Sequence, residues 1–374
     1  MSSKPRRVLL ACDKFKGSLT AVDVAAALAR GIAAAAPAAR TVRVPVADGG
    51  DGTLDAAVAA GFAPIPVVAS GPTGEPVQTR YAVRDDLAVV EMADACGLLR
   101  LPGGPLHPMT ASSRGLGEVI AAALDAGFGR LVVGIGGSAS TDGGAGMLAA
   151  LGARMLDGHG SDLPDGGGAL GDLATLDLSA LHPAVAGADI VLASDVTNPL
   201  LGTMGAPTVF APQKGASPEQ VDQLEAALTR FAAVVTAATG RDDSARPGAG
   251  AAGGVGYAAQ AVLGARMRPG IDVVLEMSRF AELVADAELV VTGEGSLDRQ
   301  TLLGKTPAGV ARAATAAGVP VVAVCGRSLL AAPEVHDTGI AAVYALTDLE
   351  PDPEVCMRQA GPLLERLGAR LAAE

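Results

Sequence analysis

Short apolar runs and alanine-rich helical runs alternate at both ends of this chain, and that alternation narrows its fold more than any other feature. At the start, "RRVLLAC" (6–12) and "TVRVPVAD" (41–48) read as strands. They are followed by helical stretches at "LTAVDVAAALARGIAAAAP" (19–37), with Ser18 or Thr20 as its N-cap, and "DGTLDAAVAAG" (51–61), opened by Asp51 or Thr53. The end repeats the scheme with strands at "AELVVTGE" (287–294), "VPVVAVCG" (319–326) and "IAAVYALT" (340–347), a helix at "TPAGVARAATAAG" (306–318) and a last helix from about Pro353. Continuous apolar runs of this length suit strands covered on both faces, as in a parallel sheet with helices on either side. The middle departs from this: "EPVQTRYAVRDDLAVVEMA" (75–93) predicts a hairpin around Arg84-Asp85-Asp86. Helices are expected near 114–126, 218–239 and 253–264, and strands at "RLVVGIGG" (130–137) and "DIVLASDV" (189–196). The fold class is therefore α/β with two domains. Residues 1–74 and 286–374 form one domain built from both chain ends, and 75–285 form an inserted α/β domain.

Composition removes several function classes. A net charge of −12 leaves no basic face for nucleic acid, and aromatics at 2% with no Trp give no stacking platform. No uncharged apolar run reaches the roughly 18–20 residues of a membrane helix, and the basic start "MSSKPRRVLLACD" lacks a signal-peptide core. A soluble, cytoplasmic protein is expected. Cys12, Cys96, Cys325 and Cys356 show no CxxC spacing and read as buried thiols. The four scattered histidines do not suggest zinc.

Only five of the 28 basic residues are lysines, and all but Lys4 fall in glycine-containing motifs: "DKFKGS", "PQKGAS" and "LGKTP". A lysine beside glycine-exposed backbone is a compact point charge for a phosphate. A second signal is "VVGIGGSASTDGGAGM" (132–147), where a strand runs into glycines, hydroxyls and Asp142 before a helix. Its N–H groups would form a phosphate nest at Gly136, Gly137, Ser138, Asp142, Gly143 and Gly144. It is no Walker loop, and GKT at 304–306 lacks the upstream glycine. "VADGGDGT" (46–53) and "ASDVTNPLLG" (193–202) set Asp48, Asp51 and Asp195 past strand ends, where open α/β sheets bind ligands. Asp51 reads as a helix cap and Asp195 as a functional group. Glu294 and Asp298 follow another strand, and Lys305-Thr306-Pro307 opens a helix. "RPGAGAAGGVGYA" (246–258) suits either a further nest or close helix packing.

Taken in order, "DKFKGS", "VADGGDGT", "GIGGSASTDGGAGM", "DVTNPLLG", "APQKGAS", "PGAGAAGGVGYA" and "TGEGSLDRQTLLGKTPAGVA" make the chain resemble the bacterial type-I glycerate kinase family along essentially its whole length. The resemblance implies ATP-dependent phosphorylation of glycerate with Mg²⁺, 2-phosphoglycerate as product, a Rossmann-like first domain and a cleft that holds the substrates. Two positions depart from the family pattern: Lys14 stands where a serine is usual, and Ser140-Thr141 where Thr-Asn is common.

On that basis the Gly136–Gly146 loop is expected to cradle ATP phosphates. Mg²⁺ is assigned to some of Asp48, Asp195 and Glu294, and the hydroxyl proton to Asp195, with Asp48 and Lys16 as the other catalytic candidates. Lys16, with Lys214 or Lys305, would offset phosphoryl charge. Ser18, Asn198, Glu294 and Asp298 are the expected glycerate contacts. The rivals are a kinase for another small hydroxy acid and a catalytically silent sensor of nucleotide or sugar acid. Oligomeric state is left open, a homodimer among the options.

Overall fold

The computed structural model describes residues 7–103, 106–302 and 305–373; Lys4, Leu303 and Gly304 lie outside them. Among the described residues the strands are β1 (Arg7–Cys12), β2 (Arg40–Arg43), β3 (Ala63–Ser70), β4 (Pro76–Arg84), β5 (Leu87–Glu91), β6 (Arg130–Gly134), β7 (Arg154–Leu156), β8 (Thr175–Asp177), β9 (Asp189–Ala193), β10 (Arg266–Arg268), β11 (Leu289–Leu297), β12 (Val321–Ser328) and β13 (Ile340–Ala345). Packing divides the chain into two units. The first takes the described residues within Met1–Asp48, Asp55–Gly61 and Gly270–Glu374, and the second takes Gly49–Leu54 and Phe62–Pro269.

The first unit is a five-stranded, all-parallel sheet in the order β13-β12-β11-β1-β2. Counted within the unit, that order is 2-1-3-4-5 read from the β2 edge. This is the flavodoxin-type arrangement of a doubly wound sheet, and its strand order reverses between β1 and β11. Side chains alternate along β1. Val8, Leu10 and Cys12 join one buried cluster with Val24, Leu28 and Ile32 of helix Ala21–Ala35 and Leu364, Leu367 and Leu371 of helix Ala360–Ala373. Leu9 and Ala11 are equally buried on the other face, where helix Thr306–Ala316 packs on β1, β11 and β12. The two cluster helices touch backbone to backbone. A Cβ added at Gly31 would overlap the Glu365 carbonyl oxygen, and one at Gly368 the Leu28 carbonyl. Thr20, rather than Ser18, caps the first helix, its Oγ1 accepting from Asp23 N at 3.1 Å. β2 is shorter than the run 41–48 because Pro45 breaks it. Pairing to β1 nonetheless continues through Val44 N to Leu10 O (2.8 Å) and Val46 N to Cys12 O (3.2 Å).

The second unit holds a mixed six-stranded sheet, β10-β9-β6-β5-β4-β3, together with the small pair β7-β8. β10, β9, β6 and β5 are parallel, while β4 and β3 run antiparallel as a meander from β5. The expected hairpin is β4–β5, and Asp85 takes the left-handed conformation (φ 55°) at its turn. β3 went unread because Pro64 and Pro66 interrupt its apolar pattern; at a sheet edge those missing donors cost nothing. This pairing moves the unit boundary. A cut at 74/75 would separate β3 from β4, which pair from Ala63↔Val83 to Ser70↔Pro76. The far boundary also moves, from 285/286 to 269/270, since helix Gly270–Met277 packs on helix Thr306–Ala316. A Cβ at Gly309 would sit 2.6 Å from Ile271 Cγ2. Helix Pro218–Thr239 has the expected bounds, opened by a Ser217/Gln220 capping box and closed by left-handed Gly240. The helix expected at 253–264 spans only Val255–Ala261, because Ala252 and Gly253 are left-handed (φ 54° and 68°).

Candidate active site

In the first unit the polar groups gather where β1 ends beside β11, at the reversal of strand order; β11 runs on to Leu297, so Glu294 lies within the strand rather than past it. Cys12 pairs with Gly293, so the next residues, Asp13 and Glu294, stand side by side on adjacent strands. Asp13 is buried. Its Oδ1 accepts from Lys14 N (2.6 Å) and its Oδ2 from Thr306 Oγ1 (2.8 Å), at the start of helix Thr306–Ala316. Burial pushes its carboxyl up to about 6, with Lys14 and the Thr306 hydrogen bond opposing and Asp48 adding. Glu294 accepts from Thr301 Oγ1 at 2.5 Å. Burial pushes it up to about 7; Thr301 and Lys305 oppose, while Asp13 and Asp298 add. Asp48 thus lies in the electrostatic neighbourhood of Asp13, and Asp298 and Lys305 in that of Glu294.

Two residues of the opening motif behave differently. Lys16 is exposed at the tip of a tight loop in which Phe15 and Leu19 exchange backbone hydrogen bonds of 2.9 and 3.0 Å. The Ser18 hydroxyl donates to Met357 O at 2.6 Å. It ties the loop to the C-terminal segment.

In the second unit, Glu91, Gly134, Ala193 and Arg268 form one row in register across the carboxyl ends of the four parallel strands. The glycine loop leaves this row after β6. Gly136 N donates to Gly49 O (3.2 Å), and Gly136 has no room for a side chain, since a Cβ there would lie 2.5 Å from Gly50 Cα. Gly136 is half-buried and Gly137 exposed; from Ser138 to Leu148 the segment is buried. The expected nest is therefore corrected for its second half. Asp142 is fully buried, and its carboxylate accepts from Ser113 N (2.8 Å), Ser113 Oγ (2.7 Å), Gly144 N (3.1 Å) and Gly146 N (3.2 Å). It ties the loop to the start of helix Arg114–Asp125 and to the turn that follows. Gly143 and Gly144 are glycines for packing: a Cβ at Gly143 would press into the Phe231 ring at 2.8 Å, and one at Gly144 into Ala258 Cβ at 2.7 Å. Their N–H groups go to Gly253 O and Asp142. Within this loop only Gly136 and Gly137 leave backbone near the surface.

Lys214 stands behind that tip. It is buried (3% exposed), and its ammonium donates to Ser138 Oγ (2.7 Å) and to the Ser140 carbonyl. Burial holds it down to about 8, against the pull of Asp142 and Cys96. Lys214 thus braces the loop from behind. Asp195 is half-buried two residues beyond β9, where Ser194 N donates to Arg268 O (3.1 Å). The Asn198 side-chain amide donates to Met204 O (2.8 Å), and the Asn198 backbone carbonyl accepts from Gly250 N (2.9 Å), so the residue braces its own loop. Segment 246–258 proves to be close packing, since a Cβ at Gly253 would overlap Ser140 O and one at Gly256 would overlap Gly248 O.

Two buried carboxyls were not singled out from the sequence. Asp13 was hidden beside conspicuous lysines, and Glu91 reads simply as the end of an apolar strand. An acidic residue just past a buried strand was a usable signal for both. The four cysteines are free and buried. Among the described residues no helix is long and apolar enough to cross a membrane.

Buried carboxyls at the carboxyl ends of parallel strands, with a buried lysine behind a glycine loop, mark the ligand-binding end of an α/β enzyme fold. The glycerate kinase family model matches residues 8–374. Glycerate kinase of Bacillus subtilis (strain 168) is 43% identical over 370 residues, covering 98% of this chain and 97% of that protein. Glycerate 2-kinase of Escherichia coli (strain K12) is 42% identical over 343 residues, with 91% and 90% covered. A crystal structure from Salmonella typhimurium LT2 assigned as glycerate kinase 2 superposes with a TM-score of 0.84 at 40% identity, covering 99% of this chain and 98% of that one. This chain belongs to the glycerate kinase family.

Proposed function

We propose that the chain is a cytoplasmic, ATP-dependent glycerate kinase that phosphorylates the 2-hydroxyl. The observation that carries this reading is kinship over nearly the full length with glycerate kinases, among them a protein named for the 2-kinase reaction. In the transfer, the substrate hydroxyl oxygen forms a bond to the γ-phosphorus as the bond from that phosphorus to the β,γ-bridging oxygen breaks. ADP leaves with the electron pair, and the hydroxyl proton passes to a carboxylate. Asp195, half-buried past the end of β9, is assigned that proton. The exposed Gly136–Gly137 tip faces the nucleotide phosphates, and Lys214 lends it positive charge through Ser138 and Ser140. Lys16 and Lys305 are assigned to the charge on the transferred group and on the substrate carboxylate.

The donor chemistry of the first unit fits Mg²⁺. Asp13 and Glu294 are held above the usual carboxylate range by burial and by neighbouring negative charge, which a divalent cation would relieve. Among the described residues no three His, Cys, Asp or Glu side chains close on one point. That suits an ion held by one or two carboxylates and by substrate phosphates. Asp13 and Glu294, adjacent across β1 and β11, are the two residues that would hold it, and when bound it would supply charge neutralisation to the phosphates.

The test is a panel of small hydroxy acids with coupled detection of ADP. Glycerate is expected to give the highest kcat/KM; a better sugar acid would replace the substrate, and no turnover on any member would replace the kinase with a sensor. Asp195→Asn should lower kcat roughly 10²–10⁴-fold, the range for loss of a general base, while ATP affinity changes little. Near-normal turnover would remove Asp195 from the role.

A further inference from the structure

We infer that Glu91 is a positioning residue for the kinase reaction: its buried carboxylate clamps the Gly49–Leu54 turn, and through that turn it fixes the Gly136–Gly137 tip. The inference rests on the assignment of that tip to nucleotide phosphates. Glu91 ends β5, paired in register with Gly134, the last residue of β6. It is 4% exposed, an unusual position for a carboxylate, and it spends its two oxygens on two backbone donors, Gly52 N on Oε1 (3.2 Å) and Leu54 N on Oε2 (2.7 Å). The turn so held is closed on its other side by Thr53, whose Oγ1 donates to Gly50 O at 2.7 Å. Its Gly49 carbonyl is the acceptor for Gly136 N. Gly134 and Gly136 leave no slack: added Cβ atoms would lie 2.9 Å from Gly49 O and 2.5 Å from Gly50 Cα. The tip therefore stands against a turn that the Glu91 side chain holds at two points. Asp51, in the same turn, has its Cβ 3.9 Å from where a Gly137 Cβ would be.

A group that only filled space would be replaceable by an isostere; one that positions by accepting two N–H groups would not. Glu91→Gln keeps shape and one acceptor oxygen but turns an NH₂ toward a backbone donor, and Glu91→Asp withdraws the carboxylate by one methylene. Two readouts separate the cases. Hydrogen exchange at the Gly52 and Leu54 amides should speed up in both variants. The KM for ATP should rise on the order of tenfold, the scale of leaving a buried backbone N–H without its acceptor, with a smaller change in the KM for glycerate. Isothermal titration with a non-hydrolysable ATP analogue should move in step with that KM. A wild-type protein that forms no ADP would overturn the kinase reading and this role with it. Active wild type with variants of unchanged ATP KM, or unchanged amide exchange, would overturn the role alone. Should Glu91→Gln fold poorly, Glu91→Asp carries the same comparison.

Discussion

Replacing Lys214 by Met should cost activity and almost no stability. The wild-type side chain carries a burial penalty: holding the ammonium down from 10.5 to about 8 corresponds to about 3 kcal/mol of preference for the neutral amine. Met removes that penalty and fills much of the same volume with an adaptable thioether. Against this stand the hydrogen bonds to Ser138 Oγ and the Ser140 carbonyl, about 1 kcal/mol each, plus about 1–3 kcal/mol for leaving the buried carbonyl unsatisfied. Asp142 is not stranded by the change, because four N–H and O–H donors already hold it. The opposing contributions cancel to within about 2 kcal/mol. The tip, however, loses its only buried cation among the described residues. Loss of a preorganised electrostatic group of this kind lowers kcat/KM by roughly 10²–10³. Urea unfolding with the coupled ADP assay on the same preparation reads both quantities. A variant destabilised by more than about 4 kcal/mol that keeps normal turnover per folded molecule would refute the reasoning.

Raising the pH through about 8 should raise the KM for ATP in the wild type as Lys214 loses its proton, and that inflection should be absent in Lys214→Met. Stability has its own sign. From about 8 to 10.5 the unfolded chain holds a proton on Lys214 that the folded chain lacks, so the unfolding free energy of wild type minus Lys214→Met should increase with pH across that window. A flat or falling difference would contradict the burial of the charge. Gly31→Ala drives a methyl into the Glu365 carbonyl where two helices touch. It should destabilise by about 1–3 kcal/mol or more by chemical denaturation, with the KM values unmoved; a neutral or stabilising result would contradict the close crossing.

Much of the framework was legible because it rests on burial pattern. Leu9 and Leu10 on opposite faces of one strand, and Ser217 before and Gln220 within the first turn of a 22-residue helix, announce their structure locally. β3 was not legible, since two prolines mask a strand that survives only because its outer edge needs no donors. The site was legible as a set of segments rather than as roles. Glycine demanded by a phosphate and glycine demanded by Phe231 or Ala258 look the same in a sequence, so Gly143 and Gly144 read as a nest when they are packing. Asp142, fully buried and held by four internal donors, shows the same limit: a polar side chain facing its own backbone cannot be told from one facing a ligand until the fold places it. Glu91 and Asp13 depend on register between strands far apart in the chain, Glu91 against Gly134 and the residue before Asp13 against Gly293.

The most direct measurement is phosphorus NMR of the product formed from ATP, Mg²⁺ and D-glycerate. Glycerate 2-kinase activity predicts one new resonance, assigned to 2-phosphoglycerate, growing as ATP is converted to ADP. A 3-phosphoglycerate signal would contradict the regiochemistry, and no phosphate ester at all would contradict the glycerate kinase assignment.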